Sequence, residues 1–205
     1  MLKLLGRSNS INVRKVLWTL DELGLAFEHE ESAGDDLRTP AFLAINPNAM
    51  IPVLLDGEFV LWESNTICRY LVGREGRDDL LPTAPVARAV VEQWMDWQAG
   101  ELNHSWSYAF QSLVRRNPER QDPKAVAHSI ASWNRHMGIL DDHLAKTGAF
   151  IAGPSFTLAD IVIGLATCRW TMTPIERPAL PAVEAWVTRL AQRPPYLAHA
   201  ANGKP

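Results

Sequence analysis

Ser10 is the residue best placed to do chemistry in this chain of 205 residues. It follows a short apolar run, Leu2 to Leu5, and precedes a helix predicted over about residues 13–23. Asn12 is a suitable N-cap for that helix and Gly24 a suitable stop. The exposed backbone N–H groups and the positive end of the dipole favour an anion at the start of this helix. A serine hydroxyl there can donate a further hydrogen bond to the anion. We therefore expect an anion site at Ser10; the alternative is that Ser10 only caps the helix.

A second candidate binding element is the dipeptide Ile51–Pro52. The segments 53–55 and 59–61 are apolar and flank Asp56–Gly57, a pattern that predicts a β-hairpin. Pro52 stands at the entrance to the first hairpin strand, where a residue without a backbone N–H is tolerated. A cis peptide bond there would leave the Ile51 backbone free to pair with an extended ligand. The sequence alone leaves cis and trans open.

Glu63 and Ser64 begin the next predicted helix. Together they can bind the ammonium and the carboxylate of an amino-acid end. The Glu63 carboxylate suits an ammonium group. The Ser64 hydroxyl and the first helical N–H groups suit a carboxylate. The alternative is that this pair only caps the helix.

Four stretches of the chain resemble serine-type glutathione transferases. Residues 6–16 resemble the first loop and helix of that family, residues 46–54 and 62–67 resemble its glutathione-binding elements, and residues 156–161 resemble the helix start of its second domain. The resemblance runs through essentially the whole chain in the same order, and it is strongest to the bacterial, theta- or phi-like members. It implies an α/β thioredoxin-like N-terminal domain followed by an all-α helical domain.

The resemblance also implies roles for single residues. Ser10 would donate its hydroxyl to the glutathione sulfur, with Ser8 as the alternative donor, and the Ile51 backbone would pair with the cysteinyl part. Arg38 would meet the glycine carboxylate. The implied glutathione-binding residues are Asn12, Arg38, Met50, Ile51, Pro52, Glu63 and Ser64. Met50 departs from the family pattern, because many relatives carry a polar or basic side chain at that position.

Four residues of the helical half are candidates for a wall around the second substrate. They are His104, Trp106, Tyr108 and Phe110. In the family this region faces the sulfur, and an aromatic wall suits an apolar electrophile. The alternative is that Trp106 and Phe110, four residues apart, are ordinary core residues.

The implied activity is transfer of glutathione to an electrophilic carbon, with glutathione as co-substrate, no metal and a role in detoxification. A glutathione-dependent dehalogenase or reductase is an alternative that uses the same site. A glutathione- or ligand-binding protein without catalysis is another, which Met50 favours, and a protein-interaction module is a third. The family further implies a homodimer.

Composition adds broad limits. The net charge of −3 argues against a nucleic-acid binder that relies on a basic surface. Cys68 and Cys168 lie in apolar helical patterns and are expected to be buried thiols of a reducing compartment, which points to the cytoplasm. No stretch is long enough to span a membrane. The three histidines 128, 136 and 143 lack the spacing of zinc ligands.

Glycines and prolines between residues 73 and 85 predict a boundary, with residues 1–76 as the glutathione-binding domain, 77–85 as a linker and 86–205 as the helical domain. Helices are predicted over about 86–116, 123–146 and 182–192. Thr157 and Asp160 form a capping-box pattern before a helix that is apolar on nearly all sides. We expect that helix to lie at the centre of the domain.

Overall fold

The computed structural model describes residues 1–31, 37–203 and 205. Its N-terminal half contains a mixed four-stranded sheet with the strands in the order Phe27–Glu30, Leu2–Leu5, Val53–Asp56 and Phe59–Trp62, in which the first two are parallel and the other pairs antiparallel. The strands are β1 (Leu2–Leu5), β2 (Phe27–Glu30), β3 (Val53–Asp56) and β4 (Phe59–Trp62). The predicted hairpin joins β3 to β4, but Asp56 pairs with Phe59, so its two loop residues are Gly57 and Glu58.

Three helices belong to the same half: α1 (Ile11–Leu23), α2 (Pro40–Ile45) and α3 (Ser64–Arg74). The predicted start of α1 is wrong by two residues, because Ser10 is the N-cap and Asn12 lies inside the first turn. The backbone carbonyl of Ser10 accepts a hydrogen bond from the Arg14 N–H at 3.0 Å, which fixes the helix start there. Gly24 ends α1 in the left-handed conformation, as predicted.

The C-terminal half is helical. Its helices are α4 (Pro85–Trp97), α5 (Asn103–Leu113), α6 (Pro123–Thr147), α7 (Leu158–Met172), α8 (Pro181–Leu190) and α9 (Pro194–His199). A π-helical turn, Gln98–Leu102, joins α4 to α5 and makes one rod. The rod ends before the predicted Arg116, whose φ of 52° lies in the left-handed region. The predicted helix over 182–192 also ends early, and Pro194 begins a separate short helix.

The predicted fold class is confirmed: an α/β domain of thioredoxin type is followed by an all-α domain. Helix α7 is the centre of the second domain, since every residue from Leu158 to Trp170 is buried. One continuous core joins it to α1 and the sheet. Of the helices described, none is both long and apolar enough to cross a membrane.

The segment between α3 and α4 is where we propose to divide the chain into its two domains. α3 ends at Arg74 and α4 begins at Pro85. Leu80 and Leu81 in this segment are buried, and the Leu80 carbonyl accepts a hydrogen bond from the Leu158 N–H at 3.0 Å. The linker is thus packed against α7, which holds the two domains in one arrangement.

Candidate active site

The hydroxyl of Ser10 is not used to cap α1. Although Ser10 is the N-cap residue, its side chain forms no capping hydrogen bond, whereas Asp122 at the start of α6 caps the Lys124 N–H at 3.0 Å. The first turn of α1 also contains no acidic residue. The positive end of this helix is therefore not neutralised by its own side chains, and a hydroxyl stands beside it.

Gly6 allows the Ser10 loop to lie against the loop of Ile51. Its φ is +144°, and a Cβ at this position would lie 2.6 Å from Val13 Cγ2 and 3.0 Å from Ile51 Cβ. Any side chain would push the loop, the helix and Ile51 apart. The close approach at Gly6 places Ser10 and Ile51 on the same cavity.

The Ile51–Pro52 peptide bond is cis. Asn46, which is buried, shapes the loop before it, because its side-chain amide donates to the Met50 carbonyl at 2.7 Å. The Met50 side chain is 65% exposed. The Met50 side chain thus faces solvent, while its backbone carbonyl is held by the buried Asn46 side chain.

The helix start at Glu63–Ser64 lies beside this loop. Val53 pairs with Trp62 at the end of the hairpin, so Pro52, just before Val53, and Glu63, just after Trp62, leave the hairpin at the same end. Glu63 has a φ of 73° and is exposed, a strained conformation that is typical of functional sites in folded proteins. Ser64 is buried at the first position of α3.

Two other predicted glutathione-binding residues, Asn12 and Arg38, do not line the cavity that contains Ser10. Asn12 is half-buried in the first turn of α1. Arg38 is exposed in the short turn before α2 and does not line the Ser10 cavity. Ser8, the alternative sulfur donor, does not line that cavity either, and its backbone N–H donates to Glu31 Oε1 at 3.1 Å.

The Ser10 cavity has a volume of about 310 Å³ and lies between the two domains. Helix α5 contributes two of the four predicted wall residues, Trp106 and Phe110, whose rings meet edge to face with centroids 5.5 Å apart. Both are also buried core residues. The cavity is lined by Arg7, Asn9, Ser10, Ile11, Ile51, Trp106, Ser107, Phe110, Gln111, Arg115 and Arg169.

The other two predicted wall residues, His104 and Tyr108, do not reach this cavity. They line a separate one between α5 and α6, with Glu101, His128 and His136. Residues two apart on a helix point in nearly opposite directions, whereas residues four apart share a face. The expectation of one wall made from all four residues is therefore corrected: α5 presents Trp106 and Phe110 to Ser10, and its opposite face carries His104 and Tyr108.

Three arginines line the Ser10 cavity, and its described lining contains no carboxylate. Arg7 and Arg115 are exposed, whereas Arg169 is 4% exposed. Burial, with the nearby charges of Arg14 and Arg115, lowers the pKa of the Arg169 guanidinium to about 9. At neutral pH this group is still a cation, so the cavity is strongly positive.

Lys15 is a second buried cation, one turn into α1. Its Nζ donates to Gln98 Oε1 at 2.7 Å and to Asn65 Oδ1 at 3.2 Å, which ties α1 to the start of α3 and to the π-helical turn. Burial lowers the pKa of Lys15 to about 8 and raises that of the neighbouring Cys68 thiol to about 11. Lys15 thus holds the two helix starts together through neutral amides.

Sequence reasoning missed Arg169, Lys15 and Asn46 at this site. Arg169 has a recognisable signal, since it is a charged residue inside a helix that is otherwise apolar on nearly all sides, and such a residue is seldom buried without a reason. Lys15 and Asn46 have no comparable signal, because exposed lysines and loop asparagines are common.

The comparisons with known proteins agree with this architecture. Residues 9–73 match the glutathione S-transferase N-terminal domain and residues 107–194 match the C-terminal domain. Glutathione S-transferase GstB of Escherichia coli is 38% identical over 204 residues, with 95% of each chain covered. Glutathione S-transferase 3 of Zea mays is 36% identical, with 95% of this chain and 91% of the relative covered.

A solved structure is similar over nearly its full length. It is the theta class glutathione S-transferase of Xanthomonas axonopodis pv. citri with glutathione bound, 37% identical, with a TM-score of 0.90 and coverage of 97% of this chain and 96% of that one. The chain belongs to the glutathione S-transferase family, a family of transferases, and the resemblance in the sequence is confirmed.

Proposed function

We propose that this protein conjugates glutathione to an electrophilic carbon and that the Ser10 hydroxyl donates a hydrogen bond to the glutathione sulfur. The observation that carries the proposal is the uncommitted hydroxyl of Ser10, a residue that lines the same cavity as Ile51 and Trp106. We assign the γ-glutamyl end to Glu63 and Ser64, and the cysteinyl backbone to Ile51; the proximity of these elements at one end of the hairpin supports the assignment.

The remaining predicted contacts have more peripheral roles in this proposal. Arg38 would meet the glycine carboxylate from its exposed turn. Asn12 and Pro52 would shape the loops at Ser10 and at Ile51. Met50 would contribute its backbone, which Asn46 holds by a hydrogen bond, rather than a polar side chain.

The site can supply the free energy that is needed to lower the pKa of the glutathione thiol. A free thiol titrates near ~8.5, so only a few per cent is thiolate at neutral pH. Lowering that pKa by about two units needs roughly 2.7 kcal/mol of preferential thiolate stabilisation. One hydrogen bond to a charged group contributes about 1.5–3 kcal/mol. Ser10, the amides of α1 and the arginines of the cavity together meet that requirement without a general base.

The test is a matched pair of serine substitutions. Ser10→Ala should lower kcat/KM for conjugation of a chlorinated nitroaromatic about 10- to 100-fold, since one charged hydrogen bond is lost. Ser8→Ala makes the same chemical change two residues away, outside the cavity, and should retain the wild-type rate. Unchanged turnover in Ser10→Ala would remove Ser10 from the reaction.

The same assay distinguishes the alternatives. Halide release without a stable conjugate would identify a glutathione-dependent dehalogenase or reductase at this site. Calorimetric binding of glutathione without turnover on a broad panel of electrophiles would identify a ligand-binding protein. Absence of glutathione binding would reject all three.

We also propose that the protein is a homodimer of the cytoplasm. Phe59 on the edge strand β4 is 48% exposed and packs at a tilt against Tyr70 with ring centroids 5.2 Å apart, an apolar surface that a second copy would cover. Cys68 and Cys168 are free thiols, as expected in a reducing compartment. Light scattering with wild type and Phe59→Glu tests the dimer, and the substitution should yield monomer.

A further inference from the structure

Arg169, a buried cation that lines the Ser10 cavity, has no anionic partner among the described residues. The Nε of Arg169 is buried without a hydrogen-bond partner, and in the described part of the chain this guanidinium forms no ion pair. It lies over two aromatic rings, with Cζ 4.1 Å from the Phe110 centroid and 4.7 Å from that of Trp106. Aromatic faces offset part of the desolvation of a cation, but they do not use its hydrogen-bond donors.

Two other cations of this protein, one stacked on a ring and one buried, are paired. Arg193 also lies over a ring, 3.8 Å from the Phe156 centroid, but it pairs with both carboxylate oxygens of Glu22 at 2.8 and 2.6 Å. Lys15 donates to two side-chain amides. Arg169 therefore differs from these two paired cations of the same chain.

The surroundings of Arg169 increase the need for an anion. Arg115 lies 5.5 Å from the Phe110 centroid and lines the same cavity, as does Arg7. Uncompensated buried charge is unfavourable, and planar guanidinium groups match carboxylates in a bidentate geometry. An entering carboxylate would pair with Arg169 and relieve the repulsion among these cations.

We propose that the electrophile carries a carboxylate, that this group binds Arg169 with Arg115 at the cavity mouth, and that Arg169 is a specificity-determining residue. This inference rests on the proposed function and names its substrate class. A volume of about 310 Å³ is at the lower end of ligand pockets, so the electrophile is small. The apolar faces of Trp106 and Phe110 would hold its carbon body between the carboxylate and the sulfur.

The probes are 4-chloro-3,5-dinitrobenzoate and its neutral methyl ester. The glutathione thiolate attacks the ring carbon that bears chlorine, the carbon–sulfur bond forms, the carbon–chlorine bond breaks, and chloride leaves with the bonding electrons. The thiol proton has already gone to solvent. Each rate is divided by the uncatalysed rate of the same compound, which removes the difference in intrinsic reactivity.

Wild type should prefer the benzoate over the ester, and Arg169→Met should lower that preference about tenfold or more. Arg115→Gln, an exposed change without risk to folding, should lower it by a smaller factor. Arg116→Gln, at the next residue but outside the cavity lining, should leave it unchanged. A preference that is the same in all four proteins would overturn the inference.

Two further outcomes are decisive. If Arg169→Met weakens glutathione binding and leaves the preference unaltered, the arginines serve a carboxylate of glutathione and the inference is wrong. If wild type conjugates neither probe, the proposed function fails on these substrates, but calorimetry still tests the cavity. Unreactive 3,5-dinitrobenzoate should then bind more tightly than 3,5-dinitrobenzamide, and Arg115→Gln should reduce the difference; equal binding would overturn the inference.

Discussion

The helix starts at Ser10 and at Thr157 are built from similar residue types but differ in how they are satisfied. At Thr157 the Asp160 carboxylate accepts hydrogen bonds from the Thr157 N–H at 2.8 Å, the Thr157 hydroxyl at 3.1 Å, the Ile151 N–H at 3.0 Å and the Trp186 indole at 2.9 Å. At Ser10 the hydroxyl forms no capping bond and the first turn contains no carboxylate.

The charges buried near the two starts are also opposite. Asp160 places a buried anion at the positive end of α7, which the helix dipole favours. Arg14 and Lys15 place buried cations one turn into α1, which the dipole disfavours. The contrast shows that the start of α7 is satisfied by side chains of the protein itself. The positive end of α1 is not neutralised in this way and faces a cavity that an anion can enter.

The largest expected effect is on the structural side of this comparison. Asp160→Ala should lower the free energy of unfolding by about 3 kcal/mol, because four buried donors lose their acceptor. Urea denaturation measures the free energy of unfolding. Asp142→Ala, on the exposed surface of α6, is the control and should change it little. Similar losses in the two variants would mean that the capping box at Thr157 does not support α7.

A smaller effect concerns Lys15. Its pKa is about 8 in the folded protein and 10.5 in the unfolded chain, so between these values the unfolded chain binds more protons and stability rises with pH. Cys68 opposes this rise above pH 9.0, because its pKa is raised to about 11. Between pH 8 and pH 9 the Lys15 contribution is about 1 kcal/mol.

Urea denaturation at those two pH values tests it. Lys15→Met should abolish this rise, whereas Lys146→Met, on the last turn of α6, should keep it. The same rise in Lys15→Met as in wild type would contradict the assignment of the buried charge to this lysine.

The smallest expected effect is the stability of Ser10→Ala. Replacing an N-cap serine usually costs about 0.5–2 kcal/mol, but this hydroxyl caps nothing, so we expect a loss below about 0.5 kcal/mol. Asp122→Ala, which removes a real cap of α6, should cost about 1 kcal/mol. Equal thermal unfolding shifts for the two variants would show that Ser10 is an ordinary cap and would remove the contrast with Thr157.

Most of the fold could be predicted from the sequence because its signals are local. The hairpin turn, the stop at Gly24 and the capping box at Thr157 depend on neighbours within a few residues. The strand Phe27–Glu30 carries no such signal and depends on pairing with Leu2–Leu5. The short helix Pro40–Ile45 does have a local signal, an N-cap at Thr39 followed by proline, which sequence reasoning missed. The interruption Gln98–Leu102 depends on packing and is not visible in helical periodicity.

The site was predictable to the extent that it consists of helix starts and turns. Asn12 was misplaced as the cap because Ser and Asn are both good cap residues, and the hydrogen bond that decides between them is a backbone one. His104 and Tyr108 were grouped with Trp106 by nearness in sequence, although helical geometry separates them. Arg169 lies far from Ser10 in sequence, and only the folded chain brings it to the cavity.

The most direct measurement is the ultraviolet absorbance of the glutathione thiolate, titrated with pH on the protein saturated with glutathione. We predict that bound glutathione titrates about two pKa units below the free thiol in wild type, and that Ser10→Ala moves this pKa back toward ~8.5. Coincident titration curves for wild type and Ser10→Ala would contradict the account that an uncommitted hydroxyl at an open helix start makes the sulfur anionic.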